Sequence, residues 1–233
     1  MISYKQMALM YNGSMEEQAA TSLLSFFSGY QRLFYKRREM ILRAEDTPQG
    51  VYFIKEGYVR FYAISKDGEE LSLLIFKPYD FFPVRWAITG RPLYYYYESL
   101  TPVEVFRSPR EGFVTYLKNN PEVLFQITSS MLIRLNTTFE RMKYLVYGNA
   151  FAKVASMLVI CVQQYGEEKG KMIRIGVPLT HQDIASLIGM TRETVSVEMG
   201  KLEKKGLISY EEKHIIVTDL KGLETVSMWS AVG

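Results

Sequence analysis

The sequence predicts an α+β chain of two domains: a small antiparallel β barrel or sandwich, then a long helix leading into a winged helix-turn-helix. Three observations predict it. The 233 residues exceed one compact domain and suit two of roughly 100 to 150 residues each. From Gln31 to about Pro109, aromatic and β-branched residues are broken by closely spaced turn signals. Beyond Pro121 the apolar period turns helical, and from Ile173 onward the order is strand, helix, tight turn, helix, hairpin.

Residues 1–28 read as an opening helix carrying Leu23-Leu24 and Phe26-Phe27 near its end, closed by Ser28-Gly29. Val51-Tyr52-Phe53-Ile54 and Tyr58 to Ile64 read as strands around Glu56-Gly57, and Asp67-Gly68 supplies the turn before the strand Leu71 to Phe76. Leu124, Met131, Leu135, Thr138, Met142 and Leu145 then fall on one stripe of a single helix running through about Tyr147. Such a seam packs either on its own barrel or on a twin helix, and the twin is the preferred reading. Gly148-Asn149 interrupts the pattern before a helix from Ala150 to Tyr165. The predicted division is 1–118 for the N-terminal domain, 119–148 for the seam helix and hinge, and 149–233 for the winged helix.

Gly166 to Lys171 reads as a solvated charged turn, and Ile173 to Val177 as a short strand. Thr180 offers an N-cap, with Asp183 in the first turn, for a helix Gln182 to Ile188 whose inward face is Ile184, Ala185 and Ile188. Gly189 ends that helix. Thr191 caps the next, with Val195, Met199 and Leu202 inward, and Gly206 closes it. Leu207 to Tyr210 and Ile215 to Val217 flank Glu211-Glu212-Lys213-His214 as a hairpin wing.

With 48% hydrophobic and 23% charged residues the chain is expected to fold rather than stay disordered. Its apolar stretches break well before the ~20 residues of a membrane span, and no basic segment precedes an apolar core at the N-terminus, so a cytoplasmic protein with no membrane partner is expected. Cys161 is the only cysteine, which excludes an intrachain disulfide and an iron–sulfur cluster held by this chain's thiolates. Its apolar setting predicts a buried, inert thiol. His181 and His214 are the only histidines and lie outside the barrel, so the histidine-rich metal site of a barrel enzyme is missing and no enzyme is predicted. A net charge of +3 is too small to establish a nucleic-acid partner, and that case rests on local pattern.

A helix lying in the major groove reads bases with its N-terminal side chains while its other face packs on the preceding helix. Here that end is Thr191-Arg192-Glu193-Thr194, with Ser196 one turn on. Arginine bonds bidentately to the O6 and N7 of guanine, and a carboxylate accepts from the N4 amine of cytosine. A glutamate facing phosphates is otherwise costly, so beside Arg192 it is easier to understand as base readout. The plain alternative is a solvated helix start where Glu193 only favours the macrodipole. Thr180, Gln182, Thr191 and Thr194 suit contacts to the DNA backbone, a role that coexists with simple capping. Lys201, Lys204, Lys205 and Lys213 add positive charge late in the helix and at the wing.

These segments carry a resemblance. Leu179-Thr180-His181-Gln182-Asp183-Ile184-Ala185, then Gly189 to Ser196, then Leu202-Glu203-Lys204-Lys205-Gly206-Leu207-Ile208 resemble the cyclic-AMP receptor protein and fumarate–nitrate regulator (CRP/FNR) superfamily. Tyr52 to Arg60 and Asp67-Gly68-Glu69-Glu70 match more loosely. The resemblance implies a β-roll sensor (a double-stranded β-helix or jelly roll), a long dimerisation helix and a promoter-binding winged helix. It also implies a homodimer on double-stranded DNA and RNA polymerase as a partner. Arg192 and Glu193 fall on the family's base-reading arginine and glutamate, and Ser196 on a serine used in one branch. Where the family usually has a further guanine-reading arginine this chain has Val197, which predicts a departure from the family's consensus at that base pair. Two recognition helices meeting successive major grooves about 34 Å apart require an inverted repeat.

The sensor departs further. The Gly-Glu and Arg-Ser pairs that hold a cyclic nucleotide in the family are replaced by Phe81 to Trp86 and by Leu93-Tyr94. The cysteine cluster of the oxygen sensors is missing, and no histidine is available in the sensor for haem. Cyclic AMP, haem and iron–sulfur dependence are therefore not expected, although Arg85 or Arg91 could supply charge by another route. Phe82, Arg85, Trp86, Tyr94 and Tyr96 are the candidate lining of a pocket for a planar or apolar effector. Plain aromatic core is the competing reading, and DNA binding without an effector stays open. The alternative function is an effector-binding or protein-interaction module that uses the same domains.

Overall fold

The computed structural model of the chain describes residues 17–228. The first sixteen residues of the expected opening helix lie outside the described residues; its remainder is α1 (Glu17–Ser28). Two compact units divide the chain, with the boundary inside one long helix between Ser130 and Met131.

The N-terminal unit holds two four-stranded antiparallel sheets. One runs in the order β1 (Gln31–Tyr35), β8 (Val103–Ser108), β3 (Val51–Glu56), β6 (Phe81–Phe82). The other runs β2 (Met40–Leu42), β7 (Tyr96–Ser99), β4 (Val59–Ile64), β5 (Glu70–Phe76). This is the expected roll. Successive β3 side chains point to opposite faces, and both faces are buried. Val51 and Phe53 pack with Phe81 and Phe106 against Leu23 and Phe27 of α1 and against Phe113 and Leu117 of α3 (Arg110–Asn119). Tyr52 and Ile54 face the other way, with Phe82, Val105 and, from the second sheet, Val59, Phe76 and Tyr97. A strand covered on both faces loses polar alternation, which explains the unbroken Val51-Tyr52-Phe53-Ile54.

The β3–β4 turn requires glycine. Gly57 has φ 88°, and a Cβ there would lie 2.2 Å from the Pro102 carbonyl oxygen. A short helix that sequence patterning does not foresee, α2 (Val84–Thr89), fills the connection after β6 and ends at Gly90 in the left-handed conformation.

α4 (Pro121–Tyr147) is the long helix. The C-terminal unit is built around α5 (Ala150–Tyr165), which starts at Asn149, whose side chain accepts from the Ala152 N–H at 2.9 Å. α5 is buried without a break from Val154 to Gln163, as a helix apolar all round must be. Cys161 sits in this run, and burial pushes its thiol up to about 12, far from a reactive thiolate.

The charged stretch expected to be a solvated turn is instead β9 (Gly166–Lys169), paired antiparallel with β10 (Met172–Ile175). Arg174 meets Glu167 at 2.6 Å and Lys169 meets Glu211 at 2.5 Å, so the strand is held by cross-strand charge that apolar patterning does not register.

Candidate nucleic-acid interface

α6 (His181–Ile188) and α7 (Arg192–Lys204) form the helix-turn-helix. Thr180 closes a capping box: its side chain accepts from the Asp183 N–H, and the Asp183 carboxylate accepts from the Thr180 N–H at 2.9 Å. From Asp183 to Ile188 α6 is buried. Gly189, at φ 64°, stops the helix by turning the chain left-handed, and the Met190 N–H bonds back to the Ala185 carbonyl at 3.1 Å. Thr191 then caps α7 by accepting from the Thr194 N–H at 3.3 Å.

The inward residues of α7, Val195, Met199 and Leu202, are fully buried. That fixes the helix in rotation. Arg192 and Glu193 consequently stand exposed at its free end, and neither makes a hydrogen bond or ion pair among the described residues. Val197 is exposed on the same helix, 57% open to solvent. Ser196 is half-buried, its hydroxyl 2.8 Å from Nδ1 of His181. Thr180 and Gln182 are exposed at the start of α6, and Thr191 at the start of α7, while Thr194 is partly covered. The two helix starts therefore present polar side chains beside first-turn N–H groups, a setting suited to anions. The wing is β11 (Ile208–Glu211) and β12 (His214–Val217), joined through exposed Glu212 and Lys213. Lys201 is bound to Glu198 at 2.9 Å, whereas Lys204 and Lys205 are open.

On α4 the named seam is largely open: Leu124, Met131, Leu135, Thr138 and Met142 are exposed and Leu145 is half-buried. Patterning missed the residues that complete it. Phe125, Leu132, Phe139 and Val146, each seven residues from the next, are all more than half exposed. Their exact heptad spacing is the signal that could have found them.

The aromatic candidates in the roll do not come together. Phe82 is wholly buried, stacked on Tyr52 at 5.4 Å and on Tyr97 at 4.9 Å. Trp86 is half-buried against the same core. Arg85 is exposed, donates to the Pro92 carbonyl and lies 5.0 Å from the Tyr94 ring, which is itself exposed. Tyr96 stacks on Tyr62 at 5.3 Å, away from Phe82. Tyr97 is the buried ring of this run; it and the exposed Tyr95 each lie 4.9 Å from Phe61. Within β7 the buried tyrosine is therefore Tyr97 rather than the expected Tyr96, while Tyr94 and Tyr95 precede the strand.

With this geometry in place, known proteins provide a comparison. Residues 152–226 match the Crp-like helix-turn-helix domain family and residues 32–120 the cyclic nucleotide-binding domain family. The chain is 30% identical over 185 residues to the global nitrogen regulator of Nostoc sp., covering 78% of this chain and 83% of that one. It is 25% identical over 193 residues to the CRP-like cAMP-activated global transcriptional regulator of Mycobacterium tuberculosis, covering 83% and 86%. Among solved structures it resembles a CooA mutant from Carboxydothermus hydrogenoformans, with TM-score 0.73 and 18% identity over 92% of this chain and 98% of that chain. FixK2 from Bradyrhizobium japonicum gives TM-score 0.72 and 22% identity over 86% and 98%. At such identities the structural likenesses speak to the fold alone.

Proposed function

The chain belongs to the CRP/FNR family of DNA-binding transcription regulators, and from that premise we propose that it binds an inverted-repeat operator as a homodimer, reading bases with Arg192 and Glu193. The observation that carries the reading is the free guanidinium and carboxylate at the start of a helix whose opposite face is locked in the core. Ser196 contributes a further base contact, and Thr180, Gln182, Thr191 and Thr194 hold the phosphate backbone. Val197 brings methyl groups where the family has an arginine, which favours a thymine methyl at that position.

The open heptad seam of α4 supports the twin-helix reading, with Leu124, Met131, Leu135, Thr138, Met142 and Leu145 at the dimer contact. In this scheme 1–118 is the sensor, 119–148 the dimer helix and hinge, and 149–233 the DNA-binding domain. RNA polymerase is the partner that the reading implies in the cell.

The roll interior does not fit a cyclic nucleotide in the family's usual pose. Phe82 fills the interior with stacked rings, and Arg85 is engaged with the Pro92 carbonyl and the Tyr94 ring. The reading is of a regulator rather than a catalyst, and both histidines belong to the C-terminal unit. An effector, if it acts on the roll, is a molecule of different chemistry.

The test is selection of bound duplexes from a random DNA pool, followed by footprinting. The wild-type protein should recover an inverted repeat with a G·C pair in each half-site. The Arg192→Ala, Glu193→Ala double variant should lose about 10- to 1000-fold in specific affinity at matched salt while keeping non-specific binding. Unchanged specific binding, or a single unrepeated half-site at saturation, overturns the assignment.

A further inference from the structure

His181 is the first residue of α6, between the cap Thr180 and exposed Gln182. Its ring joins three elements. Nδ1 lies 2.8 Å from the Ser196 hydroxyl on α7, and Nε2 lies 3.1 Å from the Tyr210 hydroxyl on β11. We propose that His181 is a positioning residue for recognition: it sets whether Ser196 offers DNA a donor or an acceptor, and it ties the wing to the recognition helix. This rests on α7 being the base-reading helix.

Counting protons gives the mechanism. A neutral imidazole has one N–H and one lone pair. With the proton on Nδ1, the ring donates to Ser196 Oγ and Tyr210 donates its hydroxyl to Nε2. Ser196 then keeps its own O–H for an outside acceptor. In the other tautomer Ser196 donates to Nδ1 and has only lone pairs left to offer. An imidazolium donates at both nitrogens, so both hydroxyls are free to donate outward and the ring adds positive charge.

The groups facing the ring are Arg192 on α7 and Tyr210 on β11, with Glu203 of α7 acting on Tyr210. In the free protein, burial first and the Arg192 charge second hold the imidazole below its ordinary 6.5. Phosphates of bound DNA counter Arg192 and raise it again. Binding then takes up a proton, and affinity increases as pH falls through the interval between the free and bound values.

The experiment uses the full chain and a duplex selected by the wild-type protein, with Kd measured at fixed salt from about pH 8 down to about pH 5.5, a range spanning ordinary histidine titration. Wild-type affinity should rise, up to about tenfold for each unit by which DNA raises the histidine. His181→Gln keeps a donating nitrogen and an accepting oxygen but does not titrate. It should match the wild type within about twofold at the alkaline end and lose the slope. His181→Phe should shift base preference as Ser196→Ala does, and the two together should shift it no further.

A wild-type slope retained in His181→Gln, or additive effects of the other two substitutions, overturns the inference while leaving the Arg192 and Glu193 assignment standing. Unchanged specific binding by the Arg192→Ala, Glu193→Ala variant is the outcome that bears on that assignment. Should His181→Phe fail to fold by thermal melting, the Gln profile decides the question.

Discussion

In the N-terminal roll, the buried Arg60 finds its partners within the domain, whereas in the winged helix Arg192 and Glu193 make no hydrogen bond or ion pair among the described residues. Arg60 is buried on β4, paired with Glu70 at 2.6 Å and Glu98 at 3.3 Å and lying over the Tyr62 ring at 4.0 Å. Arg192 and Glu193 are at least as polar and are held out to solvent by a rigid apolar face behind them. A buried charge must be neutralised where it sits, while a reader of DNA must keep its hydrogen-bonding capacity unspent until the partner arrives. Free polar groups on a fixed scaffold are therefore the basis of the proposed site, in preference to aromatic richness.

Substitutions can break that contrast or sharpen it. Phe82→Ala should have the largest effect, about 3–5 kcal/mol lost from the N-terminal unit in urea denaturation, because rings on two sides would face a void. A loss below about 1 kcal/mol would show space in the roll interior and revive an aromatic pocket around that ring. Thr180→Ala should cost about 1 kcal/mol in the thermal stability of the C-terminal unit by removing the capping side chain. If DNA affinity then falls well beyond what the lost folded fraction explains, the phosphate role is supported; if not, Thr180 only caps. Tyr94→Ala should change stability by no more than about 0.5 kcal/mol in thermal melts, since the ring is exposed and the Arg85 head group lies over it at a cation–π distance. A larger loss would place Tyr94 in the core and contradict the outward assignment.

The winged helix was readable from sequence because its signals are local: hydroxyl caps at Thr180 and Thr191, glycine stops at Gly189 and Gly206, and a hairpin. The long helix was readable from its period. The roll was legible as strands but not as faces. β3 is covered on both sides, and β7 begins only at Tyr96, so alternation could not be counted back through Tyr94. β9 was missed because opposite charges rather than apolar side chains hold it. His181 was missed for a different reason: its partners are 15 and 29 residues away, and no spacing rule joins a histidine to hydroxyls at that separation.

The turn at Gly189 and the apolar rear of α7 do their structural work without help from positions 192, 193 or 197. Exchanging those outward side chains leaves caps and packing intact, so under the proposed assignment new operator preferences are accessible by single substitutions without an intervening unstable protein. On that reading the fold keeps its alphabet on replaceable type.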